Sequence, residues 1–210
     1  MTAKLEVNPW LEMWIRPRKT ILSILRFNSD YLIYLLSVIY VLPYLLQAAQ
    51  NFSLGEAFSL KFIVVGIFLS ALLVGLLIIN GISLLFYWTG RWFGGMASFH
   101  HIRAAIAWSN MPNLVNIAIW IFNVLTFGNI LFTRGFVQIP FVGRELTYMF
   151  SASFIQAILT VWMLVLMLNA LSAVQGFSIW KAILNLLASF FIIMIILSIF
   201  SFLISFIIKT

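Results

Sequence analysis

The stretch 62–88, FIVVGIFLSALLVGLLIINGISLLFYW, holds no charged residue and sits between Lys61 and Arg91. A helix rising about 1.5 Å per residue needs about 20 apolar residues to cross a hydrocarbon layer of roughly 30 Å, and this run is longer than that. Its apolar positions are continuous. The strands of a membrane barrel instead alternate apolar and polar residues over about ten positions. A helix remains, because it satisfies its own backbone hydrogen bonds where no water is available.

The same reading extends outward in both directions. No charge occurs between Asp30 and Glu56, Arg103 and Arg134, Glu145 and Lys181, or Lys181 and Lys209. Five spans are therefore predicted, at about 31–50, 62–88, 112–132, 149–172 and 182–207. The fold class is all-α, a polytopic membrane helical bundle with amphipathic elements on its cytoplasmic side. An N-terminal interfacial segment, 1–30, precedes the five-span domain, 31–210. The composition, 64% hydrophobic and 8% charged, lies outside the range of soluble domains. Without cysteine there is no thiol catalysis, disulfide or thiolate metal site.

Lys and Arg predict the orientation. Lys4, Arg16, Arg18, Lys19, Arg26, Arg91, Arg103 and Lys181 fall on one side, and Lys61, Arg134, Arg144 and Lys209 on the other. Eight against four places the N-terminus in the cytoplasm and the C-terminus outside. The net charge of +7 is thus an orientation signal, and nucleic acid is not an expected partner.

Two stretches outside the spans are amphipathic. Trp10 and Trp14 lie beside Arg16, Arg18 and Lys19, and Pro17 divides residues 9–28 into two helical pieces. Indole rings and cations suit the headgroup region, so this segment lies along the membrane or packs as a cap under the bundle. In the second loop, Trp92 is followed by Gly94 and Gly95, which are expected to loosen the chain. Ser98 caps a short helix at about 99–109 and Pro112 starts the next span. Phe99, Ile102 and Ile106 share one face of that helix, leaving His100, Arg103 and Ser109 for water or headgroups, with His101 also at the interface. The segment Phe99 to Ala104 recurs in outline as Phe177 to Ala182, 78 positions later, with Lys181 in the place of Arg103.

Within the spans there is no ionisable set for catalysis or ion coupling. Adjacent His100 and His101 lack metal-ligand spacing. Neither an enzyme nor a cofactor is expected. The third span does carry Asn110, Asn113, Asn116 and Asn123, within an arc of about 140°. Asn80, Gln156 and Asn169 on neighbouring spans are expected to face them, with Asn185 near the last. Such a stripe either bridges helices or lines a polar path.

Four motifs in register carry a family resemblance: Asn8-Pro9-Trp10; Arg16-Pro17-Arg18-Lys19-Thr20-Ile21; the Gly94-Gly95 helix running to Trp108-Ser109 and Pro112; and Gln175-Gly176-Phe177-Ser178 with Lys181-Ala182. They resemble the bacterial branch of the Yip domain family, named for Rab/Ypt-interacting membrane proteins. The resemblance implies five spans, a cytoplasmic N-terminal region and a bacterial cytoplasmic membrane location. The Asp-Leu-Tyr-Gly-Pro element of eukaryotic members is missing, so Rab GTPase binding does not carry over. Two roles follow as expectations. One is a non-enzymatic adaptor or scaffold that meets lipids and a membrane-protein partner or a second copy. The other is a transporter, or an exporter's accessory subunit, for a lipid, peptide or other amphiphile.

Overall fold

The computed structural model describes Leu5 and residues 7–209, without the side chains at 137 and 206–209. Lys4 and the side chain of Lys209, both counted for orientation, lie outside what is described. The helices are α1 (Pro9–Glu12), α2 (Pro17–Phe27), α3 (Ile33–Asn51), α4 (Leu60–Trp92), α5 (Phe99–Ser109), α6 (Asn113–Phe127), α7 (Arg134–Val137), α8 (Gly143–Gln175) and α9 (Ile179–Lys209). A tight turn of helix, Gly128–Phe132, continues α6. Five of these stretches are long and apolar enough to cross a membrane.

Local chemistry sets several of the starts. The Asn8 side chain accepts the Trp10 N–H at 3.1 Å to open α1. Pro17 occupies the first position of α2, where a missing N–H costs nothing. Ser98 caps α5 by accepting the His101 N–H at 3.3 Å, and Ser178 does the same for the Lys181 N–H at 3.4 Å. Each cap follows a glycine in the left-handed region, Gly94 at φ +79° and Gly176 at φ +70°. The two turns therefore use one device, and they touch: the Met96 N–H donates to the Gln175 carbonyl at 3.2 Å.

Helix lengths decide the architecture. With 19 residues, α3 is about 28 Å long and matches the hydrocarbon layer, whereas α4 and α8, with 33 each, reach about 50 Å. The register of α3 against α4 is set at Gly75, where any Cβ would collide with the Ser37 carbonyl. Counting back four residues on α3 and on four along α4 puts the start of α3 level with Ile79. About 20 Å of α4 then projects beyond it.

That projecting end has its own core, built from Met13, Ile21, Ile102, Ile106, Trp108 and Leu171 among others. A second core at the opposite end gathers Val41, Ile67, Trp120, Leu131 and Phe132. The bounds of α5 match the expectation, but its place does not. Ala104 to Ser109 are all buried, together with Ile102, beneath α2, α3, α4 and α8. Ser109, expected to meet water, instead donates to the Ile106 carbonyl at 2.8 Å. Three alanines let neighbours approach from every side, so α5 is a central helix and not a surface one.

The N-terminal segment is fastened to this core. Trp10 meets Trp108 edge-on with centroids 5.5 Å apart, and Tyr31 stacks on Trp108 at 6.1 Å. Met13, Thr20, Ile21 and Ile24 are buried, while Leu11, Ile15, Arg16, Arg18 and Lys19 face outward. At the other extreme, α9 is exposed almost throughout beyond Ser189 with apolar side chains, as suits a helix surrounded by lipid.

Trp108→Ala should cost about 3 to 5 kcal/mol, since it empties the centre of the projecting core. Gly75→Leu should cost about 1 to 3 kcal/mol by forcing α3 from α4. Thermal unfolding of the purified proteins in detergent checks both, with Gly66→Leu as the control because Gly66 has open space.

Candidate functional site

Where α3 begins, polar and charged groups from three segments converge. The Arg103 guanidinium on α5 donates to the Asp30 carboxylate at 2.6 Å and to Asn80 Oδ1 on α4 at 3.0 Å. His100 Nδ1 lies 3.3 Å from the same Asp30 oxygen and 3.0 Å from Arg103. The Arg103 side chain keeps only 15% of its exposure, and its Nε has no partner among the described residues. Hydrogen bonding from Arg103, above all, holds the Asp30 carboxyl below its ordinary value; desolvation opposes this, and His100 adds to it. Arg103 is therefore a tie between α3's start, α4 and α5, where the sequence suggested a place in water or among headgroups.

Further along α4 toward its projecting end, against α9, lies a second polar knot. Thr89 Oγ1 meets Asn185 Oδ1 at 2.5 Å and Ser189 Oγ at 2.8 Å, while Asn185 and Gln175 each donate to the Phe86 carbonyl at 3.4 Å. A Cβ on Gly90 or Gly95 would collide with the Gln175 amide. Gly95 is thus a point of close packing, where looseness was expected. Asn185 serves this knot and does not face the third span.

The asparagine series divides. Asn110 donates to the Ile106 carbonyl at 2.6 Å, Asn113 to the Tyr40 carbonyl at 3.2 Å and Asn116 to Asn113 Oδ1 at 3.2 Å. Asn123 accepts from the Tyr148 hydroxyl at 2.6 Å. Asn80 donates to its own helix at Leu76. Asn169 likewise bonds the Val165 carbonyl at 2.9 Å and borders a groove with the N-terminal elbow, away from Asn113. Gln156 is half-buried with no side-chain partner among the described residues. Between α3, α4, α5, α8 and α9 lies a cavity of about 280 Å³ bordered by Tyr40, Tyr44, Asn110, Thr160 and Ser189.

The remaining interface residues occupy the outside of the same end. Trp88 and Trp92 meet edge-on at 5.4 Å and are exposed, as are Met96, Trp180 and Lys181. Phe99 lies beneath the Arg103 guanidinium at 5.5 Å, and His101 is half-buried. Trp10 is turned inward onto Trp108, whereas Trp14 stands beside Arg16, Arg18 and Lys19 in the groove. Among the described residues no three His, Asp or Glu side chains gather as metal ligands would. Two contacts escaped the sequence reading: the Asp30–Arg103 pair and the Thr89–Asn185–Ser189 knot. The first had a signal, since Asp30 and Arg103 are opposite charges ending two apolar intervals on one side of the membrane.

Breaking the tie should register in stability. Arg103→Met should destabilise by about 1 to 3 kcal/mol, by leaving Asn80 and Asp30 without their donor. Because the folded-state pKa of Asp30 is lowered, its contribution is complete above the ordinary value of 3.8 and is lost as pH falls through the folded value. Unfolding measured against pH should show this acid loss in the native protein and its absence in Asp30→Asn.

Comparison with known proteins adds one finding. The family model described as the Yip1 domain matches residues 11–200. No curated protein and no solved structure matches. The matched range takes in α2, α5 and α6, the α8–α9 turn and most of α9. The chain accordingly belongs to the Yip1 domain family of membrane proteins.

Proposed function

We propose that this protein is a non-enzymatic adaptor or scaffold of a bacterial cytoplasmic membrane, with its N-terminus in the cytoplasm and its C-terminus outside. The projecting end of the bundle would be its working surface, engaging a membrane-protein partner or a second copy. The observation that carries this reading is the pairing of a rigid core around Trp108 with an outer surface that keeps Trp88, Trp92, Met96 and Trp180 exposed beside Arg91 and Lys181. Tryptophan and arginine are the residues that dominate binding energy at protein interfaces. A surface already held in shape also loses little entropy on binding.

The test is cross-linking in native membranes followed by purification of the full-length protein. A discrete partner or dimer should be captured, and the double variant Trp92→Ala with Trp180→Ala should lower its yield about tenfold or more while unfolding at the same temperature. Capture of nothing discrete, or equal yield from the variant, would remove the adaptor reading.

The inner cavity favours a second reading, carriage of an amphiphile. It lies among the membrane helices, has polar groups from Asn110, Thr160 and Ser189, and borders exposed Tyr44 and Phe190. Vesicles containing the protein should then move fluorescent lipid or peptide faster than empty ones, and Thr160→Phe, which fills the cavity, should abolish the gain. No gain over empty vesicles would leave the adaptor role alone.

A further inference from the structure

The elbow joining α1 to α2 stands against α8. Trp14 and the run Arg16 to Lys19 form one wall of a groove of about 370 Å³, with Trp162 and Asn169 on the other. Arg16, Arg18 and Lys19 are exposed, and among the described residues none of them is ion-paired. Three neighbouring cations repel one another, and the elbow's one carboxylate, Glu12, forms no ion pair with them among the described residues, so an anion between them would relieve the arrangement.

The groove's position limits what that anion can be. The exposed apolar face of α8 runs through Phe154, Ile158, Val161 and Trp162 to Val165, and beyond it Leu166, Ala170 and Leu171 are buried. The groove therefore opens onto the last lipid-facing turns of α8, where acyl chains end and headgroups begin. Trp14 and Trp162 suit that level. The backbone adds to the cations: the N–H groups of Arg18 and Lys19 precede Thr20, the first residue of α2 to donate within the helix, to the Arg16 carbonyl at 3.0 Å, and the Arg16 side chain does not cap them. The first turn of α2 also contains no acidic residue.

We propose that this groove binds one anionic phospholipid. The phosphate is held by Arg16, Arg18 and Lys19, an acyl chain lies along Trp162 and the apolar face above it, and the free valences of the Asn169 amide meet the glycerol region. A basic surface attracts anionic lipid diffusely without any groove, and sets no stoichiometry. A groove closed on two sides by Trp14 and Trp162 holds one lipid per chain. The site does not depend on the adaptor role.

The test uses full-length protein in phosphatidylcholine bilayer discs with a minority of phosphatidylglycerol, and counts the lipids retained after release by native mass spectrometry. One phosphatidylglycerol per chain should be retained in preference to phosphatidylcholine. The triple variant R16Q/R18Q/K19Q should lose about tenfold or more of that preference, each cation near a surface being worth roughly fivefold. The variant R91Q/K181Q, which removes exposed charge from the same end, should keep it. Inorganic phosphate at matched ionic strength should not release the lipid. Should the triple variant not purify, Asn169→Trp fills the groove at unchanged charge and should give the same loss. No preference in the native protein, equal loss in R91Q/K181Q, or release by free phosphate would each overturn the proposal.

Discussion

A bilayer offers no hydrogen-bond partners, so where a crossing helix begins against a broken backbone the freed groups have to be met within the protein. The chain breaks at Asn110-Met111-Pro112, where the buried α5 gives way to the third crossing, α6. Pro112 lacks an N–H, and its ring displaces the backbone of the preceding turn. The groups set free are met locally: Ser109 and Asn110 bond the Ile106 carbonyl, while the Pro112 carbonyl accepts the Val115 N–H at 3.0 Å. Asn113 then ties the break to α3 through the Tyr40 carbonyl. Much of the remaining architecture answers this one constraint. The alanines of α5 allow close wrapping, α2 closes one side, and the N-terminal segment is thereby part of the bundle's core.

The two cores rest on different physics. Around Trp120 and Phe132, inside the lipid layer, apolar side chains gain little from leaving lipid, and shape-matched contact such as Gly75 against Ser37 does the holding. The projecting core is about 20 Å of helix ends outside the length of α3, where burying Met13, Ile21 and Trp108 removes apolar surface from headgroups and water. The Arg103 tie stands at the junction. Its partners come from the loop before α3 and from α4, and His100 of α5 lies beside it, so one guanidinium ties together segments that meet where the two regions join.

The sequence shows the spans because the cost of charge in lipid acts on each segment separately. Intervals free of charge therefore map onto α3, α4, α6, α8 and α9 with small differences at the ends. The role of α5 was not visible in the same way. Its bounds are local, set by Ser98 and by Pro112, but periodicity in Phe99, Ile102 and Ile106 reports only that one face is apolar. Ala104, Ala105 and Ala107 are equally at home on a surface or between close helices, and tertiary contact alone decides. The asparagines were ambiguous for a related reason. A polar side chain that must avoid lipid is the same in sequence whether a backbone carbonyl or a hydrated path receives it, and the carbonyl of Tyr40 is invisible to any pattern. Gly95 misled because glycine serves both freedom and contact; the Gln175 amide against it decides for contact.

Basic residues on the projecting end do two kinds of work, and separating them changes where lipid affinity is to be sought. Arg103 is spent internally on Asp30 and Asn80, and Arg91 bonds Tyr87 and the Ala97 carbonyl at 3.3 Å each. The Arg91 partners are neutral and leave its charge at the surface, so subtracting Arg103 leaves, among the described residues, Arg16, Arg18, Lys19 and Arg26 on the N-terminal segment, with Arg91 on α4 and Lys181 on α9. The free charge is thus concentrated along α2 and its elbow, beside the lipid-facing side of α8. The exposed indoles of Trp88, Trp92 and Trp180 belong to α4 and α9. Most of the free charge thus lies on a different helix pair from the indoles of α4 and α9, so one face of this end is suited to lipid while another remains for a protein.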